Sequence, residues 1–297
     1  MNIKEKLLRK ERSWTDILIL VFIQAYLWMN AGGFLSTVVL QTAKWGSLFS
    51  ADPAVAVDMG DYFCSFGFCI AMIAALLIFK KNRQLLKPLC PEKKSHIPAG
   101  LASGLAAGFI LNAFLVAGAV LTGSINFSGV DIQALTVVGY LIAILFQAAG
   151  EELVCRLFIM GKLQRRYKSP AVAIVGNSLF FTVFHLGNPG ITAASVLGVL
   201  LAGIMFSLIV YHFNNIWIAI GAHTAWNLTQ TILFGLPNSG VTSPWSVFSP
   251  SVSAGGFFFD TGFGVEGSLG AVLIISIVIA ALISASLKQK KENVPAF

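Results

Sequence analysis

The chain has 297 residues, of which 56% are hydrophobic and only 11% charged, with a mean hydropathy of +0.80. A soluble domain carries roughly 25% charged residues, and no soluble core of this length hides so much apolar surface, so lipid is the expected solvent for much of the chain. The net charge of +7 does not point to nucleic acid, because the basic residues fall in short clusters between apolar runs, which is the pattern of membrane orientation.

Read in chain order, apolar runs of spanning length recur. A basic N-terminal stretch precedes an uncharged run, Ile17 to Ala43. That run is longer than the roughly 7–15 apolar residues of a signal peptide and reads as a retained first span. The predicted spans are Ile17–Leu40, Tyr62–Phe79, Pro98–Leu121, Tyr140–Leu163, Pro170–Leu186, Ile191–Tyr211, Ile216–Phe234 and Ser268–Leu287. The fold class expected is therefore all-α, a polytopic transmembrane bundle of about eight spans. Ser169-Pro170 supplies an N-cap and a first-position proline for span five. Asn214-Asn215 marks a tight turn between spans six and seven.

Span three carries Gly100, Gly104 and Gly108, a small-residue stripe that lets a neighbouring helix approach closely. The loop from Gly235 to Gly267 is the longest and suits either a re-entrant, gating segment or a plain connector. Cys64, Cys69, Cys90 and Cys155 have neither metal-ligand nor disulfide spacing and read as small core residues. Organisation follows as an N-terminal region of three spans (1–133), a four-span core (134–234), and an outer loop with the final span (235–297).

Charge tests this topology. Eighteen of the twenty Lys and Arg residues lie before span one, between spans two and three, between four and five (counting Lys162 at the end of span four), or after span eight. Lys44 is the exception on the other side, and Arg156 lies within a span. The positive-inside rule then puts both termini in the cytoplasm, with an even number of spans.

Span four carries Glu151, Glu152 and Arg156 within six residues. Each costs roughly 2.5–3.5 kcal/mol at mid-bilayer on insertion scales, so three oppose insertion by roughly 8–10 kcal/mol. Glu152 and Arg156, four apart, share a face and can pair. Glu151 is turned about 100° away and is free to face another partner. Span five adds Phe181 and His185 on one face, and span seven adds His223 and Asn227 on one face. A lone membrane histidine is as often an interhelical hydrogen-bonding residue as a functional one. Depth joins these four, however: measured along the helices from the basic side, Glu151, His185 and Asn227 lie about 21, 24 and 18 Å in. That predicts one buried polar site between spans four, five and seven.

In these residues the chain resembles the CPBP family, which includes the type II CAAX prenyl endopeptidases and their bacterial relatives. The motifs are Glu-Glu-x-x-x-Arg at Glu151, Glu152 and Arg156, Phe-x-x-x-His at Phe181 and His185, and His-x-x-x-Asn at His223 and Asn227, in family order. Gly264–Gly267 also looks like the family's late segment, whereas Leu157 stands where a glycine commonly follows the motif arginine. The resemblance implies an intramembrane endopeptidase in a bacterial cytoplasmic membrane, acting on prenylated, bacteriocin-like or other membrane-associated peptides. It implies that Glu151 and His185 activate water, that His223 and Asn227 stabilise the oxyanion, and that Glu152 and Arg156 support them. A lipid-buried carboxylate acting as base and paired His and Asn donors fit that chemistry. No cofactor is expected. Zinc is the competing reading, since two histidines and a glutamate can ligate it, although His-Glu-x-x-His is missing. A non-proteolytic immunity or regulatory scaffold is the alternative function. A proton-coupled transporter would call for paired broken helices, which the sequence lacks.

Overall fold

The computed structural model describes residues 7–9, 13–91 and 96–292, the side chains of 290–292 excepted. Of the basic residues in the charge count, Lys4, Lys6, Lys10, Arg12, Lys93 and Lys94 lie outside the described residues, as do the side chains of Lys290 and Lys291. Apolar helices dominate: α1 (Leu18–Leu40), α2 (Pro53–Ile78), α3 (His96–Leu121), α4 (Ala134–Arg166), α5 (Pro170–His185), α6 (Ala193–Phe213), α7 (Ile216–Asn227) and α8 (Leu269–Glu292). Six of them are long and apolar enough to cross a membrane. The other two, α5 and α7, fall short of that mark. α5 has only 16 residues. α7 continues as a π-helix, Leu228–Leu233, but the combined run carries His223, Asn227 and Gln230. These two helices carry two of the three motifs; α5 falls short by its length, and the polar residues of α7 are those of the site.

Local sequence explains most boundaries. Asp52 caps α2 by accepting from the Ala54 and Val55 amides, with Pro53 in the first turn. Ser169 precedes Pro170 at the start of α5, without a side-chain cap bond. Thr192 and Ser195 close a reciprocal capping box on α6. Asn214 takes a left-handed conformation (φ 47°) and Asn215 caps α7, so the two-asparagine turn closes one helix and opens the next.

The all-α expectation missed a small sheet. β1 (Ile125–Val130) pairs antiparallel with β2 (Phe248–Val252), which lies in the long loop. The loop is further pinned where the Ser243 and Tyr140 hydroxyls both donate to Asp58 Oδ2, at 2.8 and 2.7 Å. The Trp245 indole stacks on Tyr140 and donates to Asp131. The loop is thus a folded cap on one end of the bundle.

The glycine stripe of α3 packs on α7. A Cβ at Gly104 would stand 2.2 Å from the Ile218 carbonyl oxygen, and one at Gly108 would stand 2.1 Å from that of Ala222. Only a bare backbone permits this approach, and it seats the helix that bears His223 and Asn227. At the other end of α4, buried Asp16 receives Arg165 (2.6 Å) and Lys162 (3.3 Å). Arg165 also donates to Asn82 and to the Lys81 carbonyl, tying the Lys80–Leu86 turn to the same cluster.

Candidate active site

The site forms where α4 changes winding. Its α-helical turns run to Glu152, and a π-helical stretch, Leu153–Ile159, follows. A second π stretch begins directly after Asn227. Such insertions widen the helix locally and are frequent at functional sites. Neither was legible in the sequence.

Glu152 and Arg156 form a fully buried ion pair at 3.1 Å. The guanidinium also donates to the Gly203 carbonyl at 3.3 Å and lies over the rings of Phe181 and Phe206. The second partner of Glu152 is His223, whose Nδ1 sits 3.0 Å from Oε1. Phe206 stacks flat on the His223 ring. A carboxylate accepts only, so Nδ1 carries the proton toward Glu152 and Nε2 faces the cavity. Glu152 and Arg156 do not line that cavity; they stand behind it and orient His223.

Glu151 points elsewhere. Its Oε1 accepts from Gln147 Nε2 at 2.6 Å. Its Oε2 lies 3.8 Å from His223 Nε2 and has no hydrogen-bond partner. Gln147 Oε1 accepts from Asn227 Nδ2 at 2.9 Å, and Asn227 Oδ1 accepts from Asn238 Nδ2 at 3.1 Å. A continuous side-chain chain therefore runs from the capping loop to the glutamate. An amide nitrogen carries two hydrogens, so Asn227 retains one N–H beyond the bond to Gln147.

His185 ends α5. Its Nδ1 meets the Phe181 carbonyl at 2.8 Å, one turn back. The carbonyl can only accept, which fixes the proton on Nδ1 and leaves Nε2 as a lone-pair acceptor. The Phe181 ring touches the His185 ring, and its edge meets His223. Both ends of the Phe-x-x-x-His motif thus have a physical role.

Glu151, His185, His223 and Asn227 line one cavity of about 440 Å³, walled by apolar and aromatic side chains such as Phe180, Phe184 and Trp226. Asn238, Ser239 and Glu266 close it from the loop, and Asp58 and Asp61 line it from α2. The sequence reading named neither Asn238, Ser239, Asp58 and Asp61 nor Gln147, and it reached Glu266 only as part of the Gly264–Gly267 segment. Gln147 lies one turn before Glu151 in the helical register, which is a signal for it. Asn238 and Ser239 give no such signal, because only the fold brings them over the site. Among the described residues no three His, Cys, Asp or Glu side chains gather as a metal-ligand set.

Residues 133–229 match the family model described as Rce1-like, type II CAAX prenyl endopeptidase. The matched segment contains all three motifs and the helices that carry them. No curated protein and no solved structure matches the chain.

Proposed function

For a chain whose residues 133–229 carry the Rce1-like, type II CAAX prenyl endopeptidase pattern, we propose an intramembrane endopeptidase that hydrolyses peptide bonds with water activated by Glu151 and His185. One observation carries this reading: Glu151 lines a cavity with His185, His223 and Asn227, and its buried Oε2 has no hydrogen-bond partner, 3.8 Å from His223 Nε2. A carboxylate with one oxygen held by Gln147 and the other free is set to take a proton. His185 Nε2, an acceptor by its tautomer, helps hold the same water. The resulting hydroxide adds to the scissile carbonyl. Charge then develops on the carbonyl oxygen, where the second N–H of Asn227 and, with the imidazole protonated, His223 Nε2–H can donate. Glu152 and Arg156 hold the His223 ring in place. Collapse of the adduct breaks the C–N bond and a proton passes to the leaving nitrogen.

The mechanism proposed uses no metal, and the substrates proposed are membrane-associated peptides, prenylated or bacteriocin-like. The protein would work in a bacterial cytoplasmic membrane with both termini in the cytoplasm, as the basic clusters favour. The test is incubation of the purified full-length protein with a farnesylated peptide ending in a Cys-aliphatic-aliphatic-X sequence, with products read by mass spectrometry. Cleavage that persists in strong chelators is expected. Activity lost to chelation and restored by zinc would replace the metal-free mechanism, with His185 and His223 as ligands. Binding without cleavage would favour the scaffold reading.

A further inference from the structure

The cavity holds a carboxylate that the mechanism above leaves idle. Glu266 sits in a short 3-10 turn, Val265–Gly267, just before α8. Its carboxylate lines the same cavity as Glu151, His185, His223 and Asn227. The backbone amide and the hydroxyl of Ser239 both donate to Oε1, the hydroxyl at 3.0 Å. The position is built rather than incidental. Gly198 on α6 lets the Glu266 carbonyl oxygen approach to where its Cβ would stand, at 2.5 Å. Gly264, at φ 97°, turns the chain beneath the Pro237 carbonyl.

In the neutral acid, the two donors mark Oε1 as the carbonyl-type oxygen and leave the acidic proton to Oε2. The charged and titratable groups around it are few. Glu151 and Cys155 line the cavity from α4, His185 from α5, His223 from α7, and Asp58, Asp61 and Tyr62 from α2. Asp260, in the same loop, is engaged in accepting from the Gly262 and Phe263 amides. The titratable residues of α3, α6 and α8 lie at the opposite ends of those helices. Burial raises the Glu266 carboxyl above the ordinary carboxylate range, more than the Ser239 bonds and the two histidines lower it.

We propose that Glu266 is the general acid of the site, supplied by the outer loop, and that it protonates the leaving amine while Glu151 deprotonates the water. This rests on the endopeptidase reading above. The step balances. Water loses a proton to Glu151 and its oxygen bonds the carbonyl carbon. The C–N bond breaks, and the nitrogen takes the proton from Glu266 Oε2. The enzyme is left with Glu151 protonated and Glu266 ionised, and one proton passed from the first to the second across the cavity restores it. Nothing is oxidised or reduced. Two carboxyl groups held in different environments are a recognised route to separate acid and base roles.

Leaving-group chemistry provides the test. The full-length protein is assayed on the farnesylated peptide and on its depsipeptide, in which an ester replaces the scissile amide. An alkoxide leaves with far less need of a proton than an amine does. Glu266→Gln should lower kcat on the amide by roughly 10²–10⁴-fold, the usual share of general acid–base catalysis. It should leave KM and the ester rate within about threefold, which corresponds to less than 1 kcal/mol. The fall in amide activity at high pH, where the acid ionises, should also disappear. Glu266→Asp keeps an acid of shorter reach and should show the same amide-selective loss, smaller in size; it serves if the glutamine variant does not fold. Equal losses on amide and ester, or full amide activity in Glu266→Gln, would overturn the assignment while leaving the endopeptidase reading intact, provided Glu151→Gln is inactive on both probes. Glu151→Gln as active as the parent, or a parent that cleaves neither probe, would defeat the endopeptidase reading and this assignment together.

Discussion

Gln147 is the residue through which Glu151 and Asn227 are held in register. It donates to Glu151, the proposed base, and accepts from Asn227, the proposed oxyanion donor. Hydrogen bonds to charged groups contribute roughly 1.5–3 kcal/mol. Gln147→Met, of similar length but without donor or acceptor, should therefore lower kcat roughly 10–100-fold while KM holds. In the Glu151→Gln background the same change should cost almost nothing more, since residues that act as a unit are non-additive. Additive losses measured in that cycle would show Gln147 to act independently of the glutamate. Arg156 belongs to stability as well as to chemistry. Arg156→Ala strands Glu152 in a buried site, which typically costs about 3–5 kcal/mol. The detergent-solubilised variant should melt well below the parent. Arg156→Lys should also be impaired, because an ammonium does not reproduce a fork that joins Glu152 and the Gly203 carbonyl between two aromatic rings. A variant as stable as the parent would contradict the role assigned to the pair.

At the scale of elements, the seat of α7 on α3 decides whether the donors reach the cavity. Gly108→Val would push β-branched bulk into the Ala222 carbonyl, immediately before His223. Overpacking of this kind costs roughly 1–3 kcal/mol. Activity should fall more than stability does, because α7 is displaced at the site itself. Activity and melting temperature measured together check this, and parental activity would argue against the proposed seating. The glycine stripe was legible in the sequence as a packing surface, but its partner was not, since a stripe does not name the helix that fills it. The same holds for the motifs. Glu152 with Arg156, and Phe181 with His185, were legible because helical spacing alone brings each pair together. Glu152 with His223 required the tertiary fold. The two π-helical stretches and the β1–β2 pairing had no periodic signature. The first are single-turn changes within apolar runs, and β2 lies in a loop where Pro250 interrupts any alternation.

At the scale of the whole molecule, the site lies nearer the end of the bundle opposite the basic turns, beneath a loop that is part of it. Asn238, Ser239 and Glu266 all descend from that loop to the cavity. On the proposed topology, with both termini in the cytoplasm, the cap would face outward. Cys90, expected from the sequence to be a core residue, is instead exposed in the turn after α2, and Ser253 is exposed in the loop. An impermeant thiol reagent added to intact cells should therefore label a cysteine-free variant carrying Ser253→Cys. It should label a variant retaining only Cys90 after permeabilisation alone. The reverse pattern would invert the topology. The central claim, that Glu151 is the base of a peptide hydrolase, is tested most directly by the rate at which Glu151→Gln cleaves a peptide that the parent cleaves. The amide keeps the shape and the bond to Gln147 but cannot take a proton. The account predicts a folded protein with the rate lowered roughly 10²–10⁴-fold; a folded variant that cleaves as fast as the parent would contradict it.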